Sequence, residues 1–251
     1  MISTRGQALF NKKKNKHMEL VIFDVDGTLV YSERRDSQCF AQAYEQLYGR
    51  SFPTLDWHQF PHVTDTTIFD TVIRQHFDRS HDPAEVQPFQ ELYMSLLRKK
   101  RQSQPHLFCE VPGAKAAVER LGQKEDRLIG IGTGGWQQPA VLKLQHVGIE
   151  VDQRLFSGAD GKVNREAILQ QTIDRAADIN GAPVTRVVYI GDAVWDVRTT
   201  RNMQIDFVGI RRRGDLEKLH HAGAEEVIQD YQDTERFESA IARARPPKEI
   251  S

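Results

Sequence analysis

Apolar runs and helically spaced apolar residues trade places along most of this 251-residue chain. The clearest run is Glu19-Leu-Val-Ile-Phe-Asp-Val-Asp-Gly-Thr-Leu29, where Leu20 to Phe23 lead straight into two aspartates and a glycine. An unbroken apolar run closed by a turn residue predicts a strand buried on both faces, as in a parallel sheet. The pattern then turns helical. Phe40, Ala43, Tyr44, Leu47 and Tyr48 share one face of a predicted helix over 37–48, closed by Gly49. Thr64-Asp-Thr-Thr67 reads as an N-cap opening a second helix through Ile68, Phe69, Val72, Ile73 and Phe77. Asp82-Pro83 opens a third, with Phe89, Leu92, Tyr93, Leu96 and Leu97 inward. No segment between about residues 34 and 107 alternates as a strand, which predicts a small helical bundle there.

From Val111-Pro-Gly113 the two patterns alternate. Strands are expected at 127–131, 155–156, 186–190, 207–210 and 226–228. Helices are expected at 114–121, from the glycine-rich turn after residue 132 to about 147, at 165–179, from 192 to 202, at 216–221 and at 235–244. This alternation predicts βαβ units, hence an α/β fold with a doubly wound, Rossmann-like parallel sheet. The organisation is discontinuous: residues 18–33 and 109–244 form the α/β core, and 34–108 an all-α insert at the sheet's C-terminal edge. Residues 1–17, with the basic run Asn11-Lys-Lys-Lys-Asn-Lys-His17, are expected to be a disordered leader. The polar tail 245–251 is expected to fray.

A net charge of −1 gives no electrostatic reason to expect a nucleic-acid or membrane partner. No apolar run reaches the roughly 18 residues that span a bilayer. Cys39 and Cys109 show neither metal-ligand nor redox spacing, so they are expected to be buried, reduced thiols of a cytoplasmic protein.

Two aspartates at the end of a buried strand change the picture. Burying them would be costly, so Asp24 and Asp26 belong just past the strand's C-terminal end, where open α/β sheets hold ligands. A divalent cation would offset their paired charge. Gly130-Ile-Gly-Thr-Gly-Gly135, with Asp152 further on, also fits a dinucleotide fingerprint, which keeps a dinucleotide-binding protein as a competing expectation. That pattern leaves the carboxylates unexplained.

Asp24-Val-Asp-Gly-Thr-Leu29 resembles the first motif of the haloacid dehalogenase superfamily, in its phosphoglycolate phosphatase branch. Thr133 resembles the Ser/Thr of the second motif, and Gly191-Asp192-Ala-Val-Trp-Asp196 the acidic fourth. The third usually carries lysine; here the choice lies between Lys162 and Arg165, and spacing to Asp192 favours Arg165. The insert after the first motif is similar to the family's helical cap. The resemblance implies a hydrolase that uses magnesium on a small phosphorylated metabolite. Asp24 would attack phosphorus, and Asp26 would protonate the leaving oxygen and then activate water. Thr133, the Gly134 amide and Arg165, with Lys162 in reserve, would hold the phosphoryl group. Asp24, Asp26, Asp192 and Asp196 would surround the metal.

A sugar phosphomutase similar to β-phosphoglucomutase uses the same core residues. Asp26 counts against a dehalogenase, and Lys99 and Lys100 are poor candidates for the Schiff-base lysine of a phosphonate hydrolase. A regulatory protein on the same fold is the alternative from another class. Asp65 is expected to cap a helix and Trp195 to pack beneath one. His62 and Thr64 lie in a polar loop of the cap and are candidates for touching substrate, while Arg211-Arg-Arg213 and His220-His221 are expected to be solvated surface, the former a candidate anion patch.

Overall fold

The computed structural model describes residues 17–60, 62–211 and 216–249. Six parallel strands form one sheet in the order β5-β4-β1-β6-β7-β8. They are β1 Glu19–Phe23, β4 Arg127–Gly132, β5 Phe156–Ser157, β6 Arg186–Gly191, β7 Asp206–Ile210 and β8 Glu226–Ile228. β1 pairs along its whole length with β4 on one side and β6 on the other. That central place is why its sequence is apolar throughout: Leu20 to Phe23 are wholly buried. Val21, Phe23, Ile131 and Ile190 face one apolar layer, and Leu20, Ile22, Tyr189 and Phe207 the other. Glu19, buried at the strand's start, is held by Arg127 and by Arg186 at 2.8 Å.

Helices α4 Ala114–Gly122, α5 Gln137–His146, α6 Arg165–Asn180, α7 Val194–Met203, α8 Leu216–His221 and α9 Thr234–Arg243 accompany the sheet. Three more, α1 Glu33–Tyr48, α2 Asp65–Phe77 and α3 Pro83–Ser103, fill the span between two short strands. Those strands, β2 Val30–Tyr31 and β3 Cys109–Glu110, pair antiparallel at the root of the helical segment. Two-residue strands are too short to show an alternating pattern, so the sequence does not reveal them. The α1 helix begins four residues before the predicted 37, because its first turn, Glu-Arg-Arg-Asp, carries no apolar residue to mark it.

The helical segment has an aromatic core of its own that also takes in a residue from the sheet side. Trp136, just before α5, is buried against Phe40, Phe69, Phe89 and Tyr93. Its indole N–H donates to Thr66 Oγ1 at 3.0 Å, and Thr66 donates to the Ala159 carbonyl. The segment is therefore fastened to the α/β layers by packing and by hydrogen bonds.

Two expectations are corrected. The tail is tied down as far as Lys248: Arg245 bridges to Phe207, and the Lys248 amide donates to the Gly223 carbonyl at 3.0 Å. Cys39 is buried, but Cys109 is exposed because it sits on the short β3 strand at the surface. The leader 1–16, Arg212, Arg213 and the last two residues lie outside the described residues. Among the described residues no helix is long and apolar enough to cross a membrane.

Candidate active site

Asp24 is the first residue beyond β1, and its amide still donates to the Ile190 carbonyl of β6. The carboxylate is thereby fixed at the C-terminal edge of the sheet, with Oδ1 accepting from the Val25 amide at 2.8 Å. Gly27 follows with φ +79°, and a Cβ there would meet Asp192 Oδ2 at 2.2 Å. Glycine is needed both for the turn and for the close approach of Asp192 from the end of β6. Asp24, Asp192 and Asp196 each bring a carboxylate oxygen within 4.8 Å of the others.

Arg165, at the start of α6, enters this group from the side. Its Nη2 lies 2.6 Å from Asp24 Oδ2 and 2.7 Å from Asp196 Oδ1. Its Nε donates to Asp196 Oδ1 at 3.0 Å, and Nη1 to the Val63 carbonyl of the helical segment at 3.3 Å. Gly134 makes room for it, since a Cβ there would sit 2.1 Å from Arg165 Nη1. Burial opposes the guanidinium's charge, but Asp196 and Asp24 outweigh it and hold its pKa well above the ordinary value. Lys162 does not enter: its Nζ donates to the Asp160 carbonyl outside the cavity. Its position, three residues before α6, leaves it on the loop while the helix carries Arg165 inward.

Asp196 is the most deeply buried of these three carboxylates. Burial, and then the charge of Asp24 against the opposing pull of Arg165, push its carboxyl up to about 6. Oδ1 is taken by Arg165, and Oδ2 accepts from the Ala193 amide at 3.0 Å. Asp196 thus anchors Arg165 while keeping an oxygen within 4.8 Å of those of Asp24 and Asp192. The side chain of Asp26 is held at the cavity wall. Its Oδ2 meets Lys143 Nζ at 2.5 Å and its Oδ1 accepts from Ser32 Oγ at 2.5 Å. Asp24, Asp26 and Asp192 line the cavity as hard oxygen donors with Asp196 beside them, and carboxylates with water and phosphate suit magnesium. Thr133, at the end of β4, is buried and bonds the Ser157 carbonyl through its amide at 3.1 Å. Gly134 and Gly135 line the same cavity.

That cavity, of about 260 Å³, lies between the sheet edge and the helical segment. Trp57 and His58, on a 3₁₀ turn at Trp57–Gln59, line it, and the His58 ring lies 5.1 Å from that of Trp195 on α7. Trp195 thus lines the cavity instead of packing beneath its helix. Arg211 also lines it, 3.4 Å from Asp192 Oδ2. Asp65 is not the cap of its own helix, because Thr64 fills that place. The Asp65 carboxylate instead accepts from the Trp136 amide at 2.8 Å, joining α2 to the start of α5. The glycines at 130 and 132 lie within β4, where a Cβ would meet Thr172 Cγ2 at 2.7 Å and Leu169 Cδ2 at 2.5 Å. Close packing of α6 on the sheet accounts for them without a dinucleotide.

Asp36 of α1 and Lys143 of α5 were not visible as site residues in the sequence. One signal was available: Lys143 lies on the same helical face as Ala140, Leu144 and Val147, an apolar stripe interrupted by a charge.

Asp65 carries a pH dependence. Burial first, and then the nearby Asp36 charge, raise its carboxyl from 3.8 to about 8. Below its ordinary pKa the group is protonated in folded and unfolded chains alike. Between there and about 8 only the unfolded chain ionises it, so stability falls as pH rises across that window. Asp65→Asn keeps an oxygen for the Trp136 amide. It is expected to melt with the wild type near about pH 4 and above it at about pH 8. A melting difference that does not change between the two would contradict this origin.

The family model of the haloacid dehalogenase-like hydrolases matches residues 21–210. A hydrolase from Pseudomonas syringae has a similar structure, with 20% identity, TM-score 0.64, and coverage of 90% of this chain and 99% of that one. A candidate β-phosphoglucomutase from Bacteroides vulgatus is similar at 16% identity and TM-score 0.62, covering 92% and 93% of the two chains. A family hydrolase from Deinococcus radiodurans, crystallised with bound phosphate and sodium, is similar at 16% identity and TM-score 0.54, covering 92% and 100%. At these identities the likeness is one of fold. No curated protein matches the chain significantly by sequence.

Proposed function

This chain belongs to the haloacid dehalogenase-like hydrolase family, and from that membership we propose that it is a magnesium-dependent phosphatase acting on a small phosphomonoester through a phosphorylated Asp24. The observation that carries this is Arg165, whose guanidinium spans Asp24 and Asp196 at the edge of the cavity. A carboxylate held this way is aimed, as a nucleophile must be. The same guanidinium has one N–H, on Nη1, left over for a phosphoryl oxygen. Thr133 and the Gly134 amide stand beside it for a further oxygen. Asp26, two residues after Asp24, is the acid that protonates the leaving oxygen and the base that later activates water.

Asp24 and Asp192 would hold the magnesium, which when bound neutralises charge on the phosphoryl oxygens. The helical segment is the cap: His58 closes against Trp195 and helps to shut bulk water out of the site. The phosphate bound to the Deinococcus radiodurans hydrolase agrees with phosphoryl chemistry on this fold. The substrate is read as a small metabolite, since the near-neutral charge gives no electrostatic reason for a nucleic-acid or membrane partner.

The test is phosphate release over a panel of phosphorylated metabolites and an aryl phosphate. Release is expected with magnesium, is stopped by EDTA and returns when magnesium is restored. Release indifferent to EDTA, or none from any compound, overturns the proposal. The likeness to the Bacteroides vulgatus structure makes a mutase the second candidate. Isomer product without free phosphate would decide for it.

A further inference from the structure

Lys143 is the most deeply buried lysine among the described residues that serves no part of the phosphate site. It lies on α5 with its side chain 1% exposed. Its Nζ is 2.5 Å from Asp26 Oδ2 and 3.1 Å from Asp36 Oδ1. Asp36 comes from α1 and accepts in turn from the hydroxyl of Tyr93 on α3. The other oxygen of Asp26 accepts from Ser32 Oγ. The carboxylate of Asp26 is therefore gripped at both oxygens, and one of its two partners is itself held by the helical segment.

A buried ammonium is a costly way to fill a helix face. Taking it out of water carries a penalty of several kcal/mol that only close, well-satisfied partners offset, and an apolar residue of like volume is often as stable or more so. The neighbours of Lys143 on its helix, Ala140 and Leu144, are apolar and buried, so packing alone would be met by leucine or methionine. The placement of the charge against Asp26 therefore calls for a role beyond packing. Each carboxylate oxygen keeps a second lone pair after accepting one hydrogen bond, so the grip fixes the rotamer without closing off proton exchange with a substrate.

We propose that Lys143, itself held by Asp36 and Tyr93, is a positioning residue that sets the carboxyl of Asp26 against the leaving-group oxygen, so that α1 and α3 of the helical segment complete the acid–base group. The inference rests on the phosphatase function proposed above. It makes the insert part of the chemical step as well as a cover over the cavity. Group placement within a fraction of an ångström is what proton transfer in the transition state requires.

Leaving groups separate this role from a structural one. A dinitrophenolate departs without a proton, whereas the oxygen of phenyl phosphate needs one more strongly. With Lys143→Met, kcat/KM, which reports the step that expels the leaving group, is expected to fall by about 10²-fold on phenyl phosphate and by less than about 10-fold on dinitrophenyl phosphate. Lys143→Arg should recover part of the loss on phenyl phosphate. Asp36→Asn leaves Lys143 in place but loosens it, and should show the same selectivity at smaller size. It carries the test if Lys143→Met fails to fold. Equal losses on both substrates, or no loss on either, overturn the inference while the phosphatase function stands. A wild type that releases phosphate from neither compound removes the function on which it rests.

Discussion

Asp24→Asn is expected to lower turnover of an aryl phosphate by at least about 10⁴-fold, the scale seen when a covalent nucleophile is removed. The substitution keeps the shape of the side chain. An amide oxygen can still accept from the Val25 amide, as Oδ1 does now at 2.8 Å. Arg165 also keeps its second partner, Asp196, so no buried cation is left alone. The folded state should therefore survive, and a thermal melt close to that of the wild type checks this. What is lost is the nucleophile, because an amide oxygen does not form a stable acyl phosphate. The metal also loses one of its two carboxylates, so titration of magnesium by calorimetry should show weaker binding. A variant that folds, binds magnesium less well and still turns over at an appreciable rate would place the nucleophile elsewhere.

Arg165→Met should affect both stability and activity. It leaves Asp24 and Asp196 facing each other, both buried and without their common cation. Breaking a buried ion pair by removing one partner costs about 3–5 kcal/mol, and denaturant unfolding should read a loss on that scale. Loss of a preorganised donor to the phosphoryl group should cost about 10²–10³-fold in kcat. Arg165→Lys separates the two effects. An ammonium restores the charge between the carboxylates, so most of the stability returns. It does not replace the guanidinium fork that reaches Asp24, Asp196 and the Val63 carbonyl together, so activity returns only in part. Full activity in the methionine variant would show that phosphate is held by other groups.

Much of this site could be read in the sequence because one strand announces it. Leu20 to Phe23 form an apolar run of the kind only a central parallel strand needs, and the aspartates that follow have nowhere to go but the sheet edge. Spacing to Asp192 favours Arg165 over Lys162 once the family resemblance calls for a basic residue there. Its place at the start of α6 leads its side chain to Asp24. Other residues depended on how far side chains reach. Asp196 reads as an acidic site residue, but that it also holds Arg165 shows only in the fold. Trp195 looks like core, but α7 turns it toward His58 across a gap of 130 residues and more in the chain. Lys143 and Asp36 meet only because α5 packs against the inserted helices, a tertiary fact that no local pattern encodes. The same holds for Asp65, whose partner Trp136 lies 71 residues away.

The phosphorylated intermediate can be trapped directly. Quenching the enzyme in acid during turnover of an aryl phosphate, followed by peptide mass spectrometry, reads where the phosphoryl group sits. The expected result is a phosphoryl group on Asp24, absent from the Asp24→Asn protein and from samples treated with EDTA before substrate is added. A phosphoryl group on another residue, or rapid turnover by the Asp24→Asn protein, would contradict it.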